Sequence, residues 1–451
     1  MKITFYGATQ TVTGSKYLIE HHGKKILVDC GLYQGLKELR LRNWTKFPVD
    51  PKEIHAIILT HAHIDHSGYI PRLIKDGFNG RVISTPATFE LCSILLPDSG
   101  HLQEEEAEYA LKKGFSKHKK PLPLFTLEEA EKSLKYFDTL DYGKEMEILK
   151  GLTFKFINAG HILGAAQVVL TNGSKTIGFS GDLGRPNDPI IYPPEVPKNC
   201  DYLVMESTYG DRFHSKDDPV ETMKDIILRT YKRGGMIIIP AFAVGRTQLI
   251  LYYIHQLFQK KEIPKIPVYL NSPMAQDATE LFCRYQKINR LNHAQCQEVF
   301  NVAKFVTSVD ESKALNELKN PAIIIAGSGM VSGGRVIHHV KKYGPDPANT
   351  ILFTGYQSAG TRGELIINGK KEVTIHGQSI PINAEVDLID NLSAHPDQNE
   401  LVDWARTIPK RPTKVFITHG EIHQAEGLKE KLEKEFGWDC VIPKYLDSFP
   451  L

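Results

Sequence analysis

The segment His61-Ala62-His63-Ile64-Asp65-His66 places three imidazoles and one carboxylate within six residues. It follows the apolar stretch 56–59, which predicts a buried strand, and it precedes a helical pattern that begins near Ser67. Ligand-binding residues of α/β proteins commonly lie at the carboxyl ends of strands, which is the position of this segment. Histidine and aspartate together suit zinc or another borderline divalent ion. The segment therefore predicts a metal site.

One tetrahedral ion cannot accept all of these side chains without strain, so a division between two ions is natural. His61 and His63 would serve one ion, and Asp65 and His66 the other. Two metal ions about 3.5–4 Å apart can clamp the attacking and leaving oxygens of a displacement reaction. Each half of such a site needs further ligands from elsewhere in the chain.

Candidates for those ligands follow other predicted strands. His161 follows the strand candidate 154–157, Asp182 follows 176–179, and His419 follows 415–417. A carboxylate such as Asp182 can bridge two ions. We therefore expect these residues to complete the site.

The chain of 451 residues is long for one hydrophobic core, so two domains are expected. Short apolar runs alternate with amphipathic stretches, which predicts a layered α/β protein. The helix candidates are 103–113, 126–137, 247–259 and 423–436. The strand candidates are 25–28, 56–59, 154–157, 176–179, 202–205, 236–239, 322–325, 351–353 and 415–417.

Composition narrows the class of protein only slightly. A net charge of +2 neither requires nor excludes a nucleic-acid partner, because a local patch matters more than the sum. No stretch is long and apolar enough to span a bilayer, and the first residues resemble a strand more than a secretory leader. The six cysteines are scattered without a Cys-x-x-Cys pair, which favours a reducing cytoplasm and structural roles for them. The basic segment 112–123 is expected to be a solvated loop.

The candidate ligands, together with Asp29 in Asp29-Cys30-Gly31, resemble the motif set of the metallo-β-lactamase superfamily. The resemblance implies one zinc on His61, His63 and His161, and a second on Asp65, His66 and His419. It implies that Asp182 bridges the two ions, with a hydroxide between them. Asp29 would orient ligands through hydrogen bonds. Two Zn²⁺ per chain are therefore expected, with Mn²⁺ or Fe²⁺ as alternatives.

Three further segments resemble the additional motifs of the β-CASP nucleases, a branch of that superfamily. They are Glu206-Ser207-Thr208-Tyr209-Gly210, Ser393-Ala394-His395-Pro396-Asp397 and Thr418-His419-Gly420. The last motif carries histidine in RNA-acting members and tends to be aliphatic in the DNA-repair branch. His419 thus favours RNA as the substrate.

The resemblance extends over nearly the whole chain, through segments such as 240–248, 271–275 and 327–335. It implies an αββα sandwich of metallo-β-lactamase type with an inserted α/β β-CASP cap domain. We expect the sandwich to comprise residues 1–206 and 379–451, and the cap to comprise residues 207–378. Such an insertion explains why His419 is so distant from His66 in the chain.

These features predict a zinc-dependent ribonuclease in which a two-metal-activated hydroxide attacks phosphorus. Besides Asp65 and Asp182, we expect His395 to act in catalysis, as the general acid or at least as a donor to the scissile phosphate, and Glu206 to hold its ring. The resemblance implies products with a 5′-phosphate and a 3′-hydroxyl. An endonuclease is favoured over a 5′-exonuclease, and a homodimer is left open.

Candidates for contacts to RNA phosphates lie in the Gly-rich run 327–335 and at one arginine that begins a helix. A tight turn is the alternative for the run, and pairing with a carboxylate is the alternative for the arginine. The candidates are Ser332, Gly333, Arg335 and Arg246.

Two rival functions remain open at this point. A small-molecule metallo-hydrolase, such as a thioesterase or a glyoxalase II-like enzyme, would need the metals but not Glu206, His395 or the cap. A non-catalytic RNA-binding subunit would lack ligands, whereas every expected ligand is present here.

Overall fold

The computed structural model describes residues 1–113 and 121–451, which form two compact units. The first unit comprises Met1–Asp188, Tyr192–Phe213 and His395–Leu451, and the second comprises Pro189–Ile191 and His214–Ala394. The domain limits expected from the sequence, after residues 206 and 378, stay predictions. Residues 114–120 of the expected basic loop lie outside the described residues.

The elements below are numbered in chain order. The strands are β1 (Lys2–Phe5), β2 (Tyr17–His21), β3 (Lys24–Val28), β4 (Ile54–Ile58), β5 (Arg81–Ser84), β6 (Phe137–Thr139), β7 (Glu145–Leu149), β8 (Leu152–Asn158), β9 (Ala166–Thr171), β10 (Thr176–Phe179), β11 (Tyr202–Glu206), β12 (Ile237–Pro240), β13 (Val268–Asn271), β14 (Lys304–Phe305), β15 (Ile323–Ala326), β16 (Thr350–Phe353), β17 (Glu372–Ile375), β18 (Gln378–Pro381), β19 (Glu385–Leu388), β20 (Lys414–Thr418), β21 (Cys440–Val441) and β22 (Ser448–Pro450). The helices are α1 (Lys37–Arg42), α2 (Ile64–Ser67), α3 (Ile70–Lys75), α4 (Pro86–Lys113), α5 (Leu127–Ser133), α6 (Pro219–Lys232), α7 (Arg246–Gln259), α8 (Pro273–Arg284), α9 (His293–Phe300), α10 (Val309–Ala314), α11 (Val336–Tyr343), α12 (Arg362–Ile367), α13 (Gln398–Arg406) and α14 (Ile422–Phe436).

The first unit contains two sheets of seven strands each. One sheet has the order β22-β1-β2-β3-β4-β5-β6, and the other has the order β21-β20-β11-β10-β9-β8-β7. Residues from both sheets share one hydrophobic core, which includes Phe5, Val28, Ile58, Phe156 and Phe416. The two sheets therefore pack face to face.

Alternation along the strands of the second sheet explains its two buried faces. In β11 and β20, Val204 and Phe416 lie in the core between the sheets. Their neighbours Leu203 and Ile417 pack instead with residues of α13 and α14, among them Leu428. Successive side chains of a strand point to opposite faces, so this sheet has another sheet on one side and helices on the other.

The second unit is built on a six-stranded sheet with the order β14-β13-β15-β12-β16-β19, in which every strand pair is parallel. Its central strands are fully buried and consist almost entirely of isoleucine, as in Ile323–Ala326. Strands covered on both faces are expected to be continuously apolar in this way. The separate hairpin β17–β18 packs into the same core through Val373, Ile375 and Ile380.

No helix in residues 1–113 or 121–451 is long and apolar enough to cross a membrane. The cysteines are all buried and free, at positions Cys30, Cys92, Cys200, Cys283, Cys296 and Cys440.

Candidate metal centre

The polar residues singled out from the sequence in the first unit follow strands whose carboxyl ends meet at one edge. In the first sheet, β3 and β4 are parallel neighbours. In the second sheet, β8, β10, β11 and β20 share one direction, because β9 runs antiparallel to both β8 and β10 while β10, β11 and β20 pair in parallel. The residues at or just after these six strand ends are Asp29, the segment 61–66, His161, Asp182, Glu206 and His419.

One cluster of ligand atoms contains His61, His63, His161 and Asp182, all within 4.8 Å of one another. Nδ1 of His63 lies 3.1 Å from Nε2 of His61 and 3.3 Å from Nε2 of His161. Oδ2 of Asp182 lies 3.4 Å from Nε2 of His61 and 3.6 Å from Nε2 of His161. Three imidazoles and one carboxylate oxygen thus point into a single small volume.

A second cluster contains Asp65, His66 and His419. Nε2 of His419 lies 3.2 Å from Nε2 of His66 and 3.4 Å from Oδ2 of Asp65. The other oxygen of Asp182, Oδ1, lies 3.2 Å from Nε2 of His66. The two oxygens of Asp182 therefore face different clusters.

The outward ring nitrogens of three of these histidines are held by neighbouring side chains. Nδ1 of His66 lies 2.7 Å from Oδ2 of Asp29, a fully buried carboxylate that also accepts hydrogen bonds from the amide and hydroxyl of Thr60. Nδ1 of His61 lies 3.1 Å from the Thr60 hydroxyl, and Nδ1 of His419 lies 3.1 Å from the Thr208 hydroxyl. Such contacts fix ring orientation and direct Nε2 inward.

The electrostatics of the first cluster favour neutral imidazole, the form that binds a metal ion. Burial, together with repulsion from His66, lowers the pKa of His61 to about 3. Burial likewise lowers the pKa of His63 to about 4 and holds that of His161 well below its ordinary value. Burial also opposes a charged His66, but attraction by Asp182 and Asp29 outweighs it and raises the pKa of His66.

The residues present fit divalent metal ions. Oδ1 of Asp182 is buried and, although it lies 3.2 Å from Nε2 of His66, it forms no hydrogen bond of good geometry with the described residues. A buried carboxylate oxygen without a hydrogen bond is costly, and an ion shared with the facing imidazoles removes that cost. Nitrogen and oxygen donors in this mixture are those preferred by zinc and its neighbours. The histidine and aspartate clusters thus form a divalent metal-binding centre.

His395 and Glu206 lie beside the first cluster. Nδ1 of His395 lies 3.1 Å from Oε2 of the buried Glu206, whose other oxygen, Oε1, accepts the Leu183 amide at 2.6 Å. Nε2 of His395 lies 4.0 Å from Oδ2 of Asp182. Burial lowers the pKa of His395, but Glu206, followed by Asp182 and Asp65, reverses this and raises it above the ordinary value.

The start of α13 explains how His395 is positioned. Asp397 is the N-cap of this helix, and its side chain accepts the amide of Glu400 at 2.9 Å. Glu400 in turn accepts the amide of Asp397 and a two-pronged hydrogen bond from Arg185. This capping box fixes the chain direction two residues after His395.

The candidate phosphate contacts all belong to the second unit, and their roles stay predictions. The guanidinium of Arg335 donates to Oδ1 of Asn271 and to two backbone carbonyls. The amides of Ser332 and Gly333 lie near the hydroxyl of Ser328, at 3.0 and 3.4 Å. Arg246 is buried at the first turn of α7.

Sequence reasoning missed three hydroxyl residues of the centre. Thr60 holds Asp29 and His61, Thr208 holds His419, and Oγ of Ser15 lies 3.3 Å from Nε2 of His66. Thr60 adjoins the histidine segment and Thr208 lies within the motif 206–210, so their positions in the sequence could have indicated that they belong to the site. No such indication exists for Ser15, because it lies in the connection between β1 and β2, and only the fold brings that connection to the site.

Three family models match successive parts of the chain. Residues 11–228 match the metallo-beta-lactamase superfamily, and residues 247–366 match the Beta-Casp domain. Residues 379–443 match the Zn-dependent metallo-hydrolase RNA specificity domain.

Relatives align along the full chain. Ribonuclease TTHA0252 of Thermus thermophilus is 36% identical, with all of both chains covered. Transcription termination factor FttA of Thermococcus kodakarensis is 31% identical over all of this chain and 71% of its own. Cleavage and polyadenylation specificity factor 73 of Drosophila melanogaster is 29% identical over 98% of this chain and 63% of its own.

The chain belongs to the β-CASP ribonuclease family of the metallo-β-lactamase superfamily. As a member of this family it is a hydrolase of the metal-dependent nuclease class. The resemblance and the fold class expected from the sequence are thereby confirmed. A solved structure of a protein of unknown function from Enterococcus faecalis shares the fold, with a TM-score of 0.57 and 14% identity over all of this chain and 99% of its own.

Proposed function

We propose that this protein is a zinc-dependent endoribonuclease that holds two metal ions and acts in the cytoplasm. The observation that carries the proposal is the position of Asp182, whose two oxygens face the two ligand clusters while His395 stands 4.0 Å away. The relatives named as a ribonuclease and as a cleavage and polyadenylation specificity factor support RNA as the substrate.

In this proposal His61, His63 and His161 would hold one ion, Asp65, His66 and His419 would hold the other, and the carboxylate of Asp182 would serve both. When bound, two such ions lower the pKa of a coordinated water and neutralise charge on the phosphate oxygens. Asp29, Thr60 and Thr208 hold the ligand rings, which keeps the inward nitrogens aligned.

The chain itself supplies the proton for the leaving group. Glu206 lies against Nδ1 of His395 and raises the pKa of the ring, which favours the protonated form in which Nε2, 4.0 Å from Asp182, carries a proton. The oxygen of a water molecule bonds to phosphorus as one proton of that water passes to solvent, the bond from phosphorus to the 3′-oxygen breaks, and Nε2 of His395 gives its proton to that oxygen. The products are a 5′-phosphate and a 3′-hydroxyl, and the ring regains a proton from water.

A circular RNA tests the endonuclease directly, because it has no end at which an exonuclease could begin. We expect the zinc-loaded protein to linearise it and then to produce shorter fragments. The matched control is Asp182→Ala, which removes the carboxylate shared by both clusters and should abolish cleavage. Fragment ends are checked with a 5′-phosphate-dependent exonuclease.

Three outcomes would contradict parts of the proposal. Release of mononucleotides from linear RNA with no cut in the circle would indicate a 5′-exonuclease. Hydrolysis of a thioester without any RNA cleavage would indicate a small-molecule hydrolase. Full activity with manganese or iron and none with zinc, compared at equal metal content by mass spectrometry, would reject zinc as the working metal.

A further inference from the structure

The segment that follows β3 and Asp29 exposes both basic and apolar side chains. Residues 34–47, which include the short helix α1, are called here the basic–aromatic loop. They contain four basic residues and one acidic residue, a net charge of +3, whereas the whole chain carries +2. Three large apolar side chains of this loop are also exposed: Leu36 by 40%, Leu41 by 54% and Trp44 by 51%. Exposed apolar groups interleaved with cations are typical of a binding surface.

The loop begins beside the metal-binding turn of the same unit. The amide of Leu32 donates to the carbonyl of Ile64 at 2.9 Å, and the amide of Cys30 donates to the carbonyl of His66 at 2.7 Å. Gly31 between them packs so closely on Asp65 that a Cβ would overlap the Asp65 carbonyl. The chain therefore enters the loop directly from the segment that carries the metal ligands.

The base of the loop is firmly held. Asn43 both accepts the amide of Tyr33 and donates to its carbonyl. The guanidinium of Arg42 lies 4.8 Å from the ring centre of Tyr445, and the ring of Phe47 lies 5.5 Å from that of Tyr6. Arg42 is thus part of the support, and the exposed residues are displayed on an ordered base.

The remaining cations are available for a ligand. Lys37, Arg40 and Lys46 are exposed, and none forms an ion pair within residues 1–113 and 121–451. Together with exposed Trp44, they combine phosphate-binding charges with a flat ring on which a base can stack. This combination is the chemistry by which proteins bind single-stranded nucleic acid.

We infer that the basic–aromatic loop docks single-stranded RNA beside the metal centre, with Trp44 stacking on a base and Lys37, Arg40 and Lys46 contacting phosphates. The inference rests on the proposed ribonuclease function and names where the substrate strand binds. It predicts that affinity for a long RNA depends on the loop, whereas chemistry on a short phosphodiester does not.

The test uses metal-loaded protein in the slow His395→Ala background and a labelled single-stranded RNA of about 20 nucleotides, longer than the roughly 4–16 nucleotides that such modules cover. Trp44→Ala should weaken binding about tenfold, as expected for one lost stacking contact, and Trp44→Phe should restore most of it. The triple variant Lys37→Gln, Arg40→Gln, Lys46→Gln should reduce the slope of log affinity against log salt by about 2.

A matched control removes equal charge elsewhere in the first unit. Lys135, Lys144 and Lys150 are exposed, and no ion pair is found for them in the described part of the chain. Their triple change to glutamine should leave both affinity and salt slope unchanged. With the native His395 present, the loop variants should raise KM for long RNA but keep wild-type rates on bis(p-nitrophenyl) phosphate, which is too short to reach the loop.

Unchanged RNA affinity and salt slope in the loop variants would overturn the inference while leaving the ribonuclease proposal intact. A drop in oligomer mass by light scattering for Trp44→Ala, with RNA affinity unchanged, would instead assign the surface to self-association. If wild-type protein hydrolyses neither RNA nor the short diester, the proposed function fails, and the docking inference fails with it.

Discussion

Asp29 has a left-handed backbone conformation and a carboxylate that contacts the ring of His66, and a single substitution can change the carboxylate alone. Its φ is +60°, a region that aspartate and asparagine both adopt more readily than most residues. Asp29→Asn should therefore keep the backbone while replacing the carboxylate that holds Nδ1 of His66. We expect metal affinity to fall by about 10–100-fold, measured by competition with a chelating dye.

Asp29→Ala serves as the comparison, because it also removes the acceptor for the Thr60 amide. Its metal affinity should be no higher than that of the asparagine variant, and its free energy of unfolding should be lower. Equal affinity in Asp29→Asn and wild type would show that the carboxylate does not orient His66.

His395 offers a second test, based on the leaving group. If its Nε2 protonates the departing 3′-oxygen, His395→Ala should lower kcat for RNA by about 10²–10⁴-fold. The same variant should lose far less activity on bis(p-nitrophenyl) phosphate, because p-nitrophenolate leaves without a proton. Metal content, measured in parallel, should stay at the wild-type level, since none of the proposed metal ligands is altered.

Glu206→Gln should lower kcat for RNA, as His395→Ala does, because Glu206 holds Nδ1 of the His395 ring. Equal losses on RNA and on the activated diester would argue against proton donation and would leave His395 a role in positioning the phosphate.

Helix α13 links local sequence to the position of His395, the proposed proton donor. Asp397→Ala removes the N-cap and should lower the free energy of unfolding by about 0.5–2 kcal/mol, measured by denaturant titration. It should also reduce RNA cleavage without loss of metal, because His395 lies two residues before the cap. Asp397→Ser keeps a capping oxygen and should restore most of both, and a serine variant as impaired as the alanine variant would reject the capping role.

Helix boundaries show where local patterns are insufficient. The sequence indicates a helix over 103–113, whereas α4 spans Pro86–Lys113 with Pro97 in its interior. Proline removes a backbone hydrogen bond and disfavours a helix, but Leu91 and Leu96 of this helix are fully buried in the first unit. Tertiary packing therefore outweighs the local penalty. The expected helix 126–137 ends earlier, at Ser133, because β6 begins at Phe137 and pairs with β5.

The distribution of tryptophan allows the two units to be followed separately. The three tryptophans, Trp44, Trp404 and Trp438, all lie in the first unit, so tryptophan fluorescence reports on that unit alone. Removing metal with a chelator should lower the fluorescence unfolding midpoint. An ion whose free concentration is about 1,000 times its Kd stabilises the state that binds it by about 4 kcal/mol.

The second unit has its own core, including Ile324, Ile351 and Phe353, and contains none of the metal-binding candidates. The part of the circular dichroism transition that arises from it should therefore keep its midpoint after chelation. A single transition that shifts as a whole by both probes would show that the two units unfold together.

Much of the centre could be predicted from the chain because strand ends and residue spacing are local properties. An apolar run followed by His61, His63, Asp65 and His66 specifies both a strand and a cluster of ligands, whatever the rest of the fold. His161, Asp182 and His419 follow strands in the same way, and the structure brings all of them together.

Other features depend on strand order and on the packing of one sheet against another, which local spacing does not encode. His395 meets Glu206 across 189 positions of the chain. Ser15 reaches His66 from a different connection, and each oxygen of Asp182 faces a different cluster only because the ends of the two sheets meet. These contacts are non-local, so their atoms, distances and protonation follow from the packed fold, whereas the residues themselves could be identified beforehand.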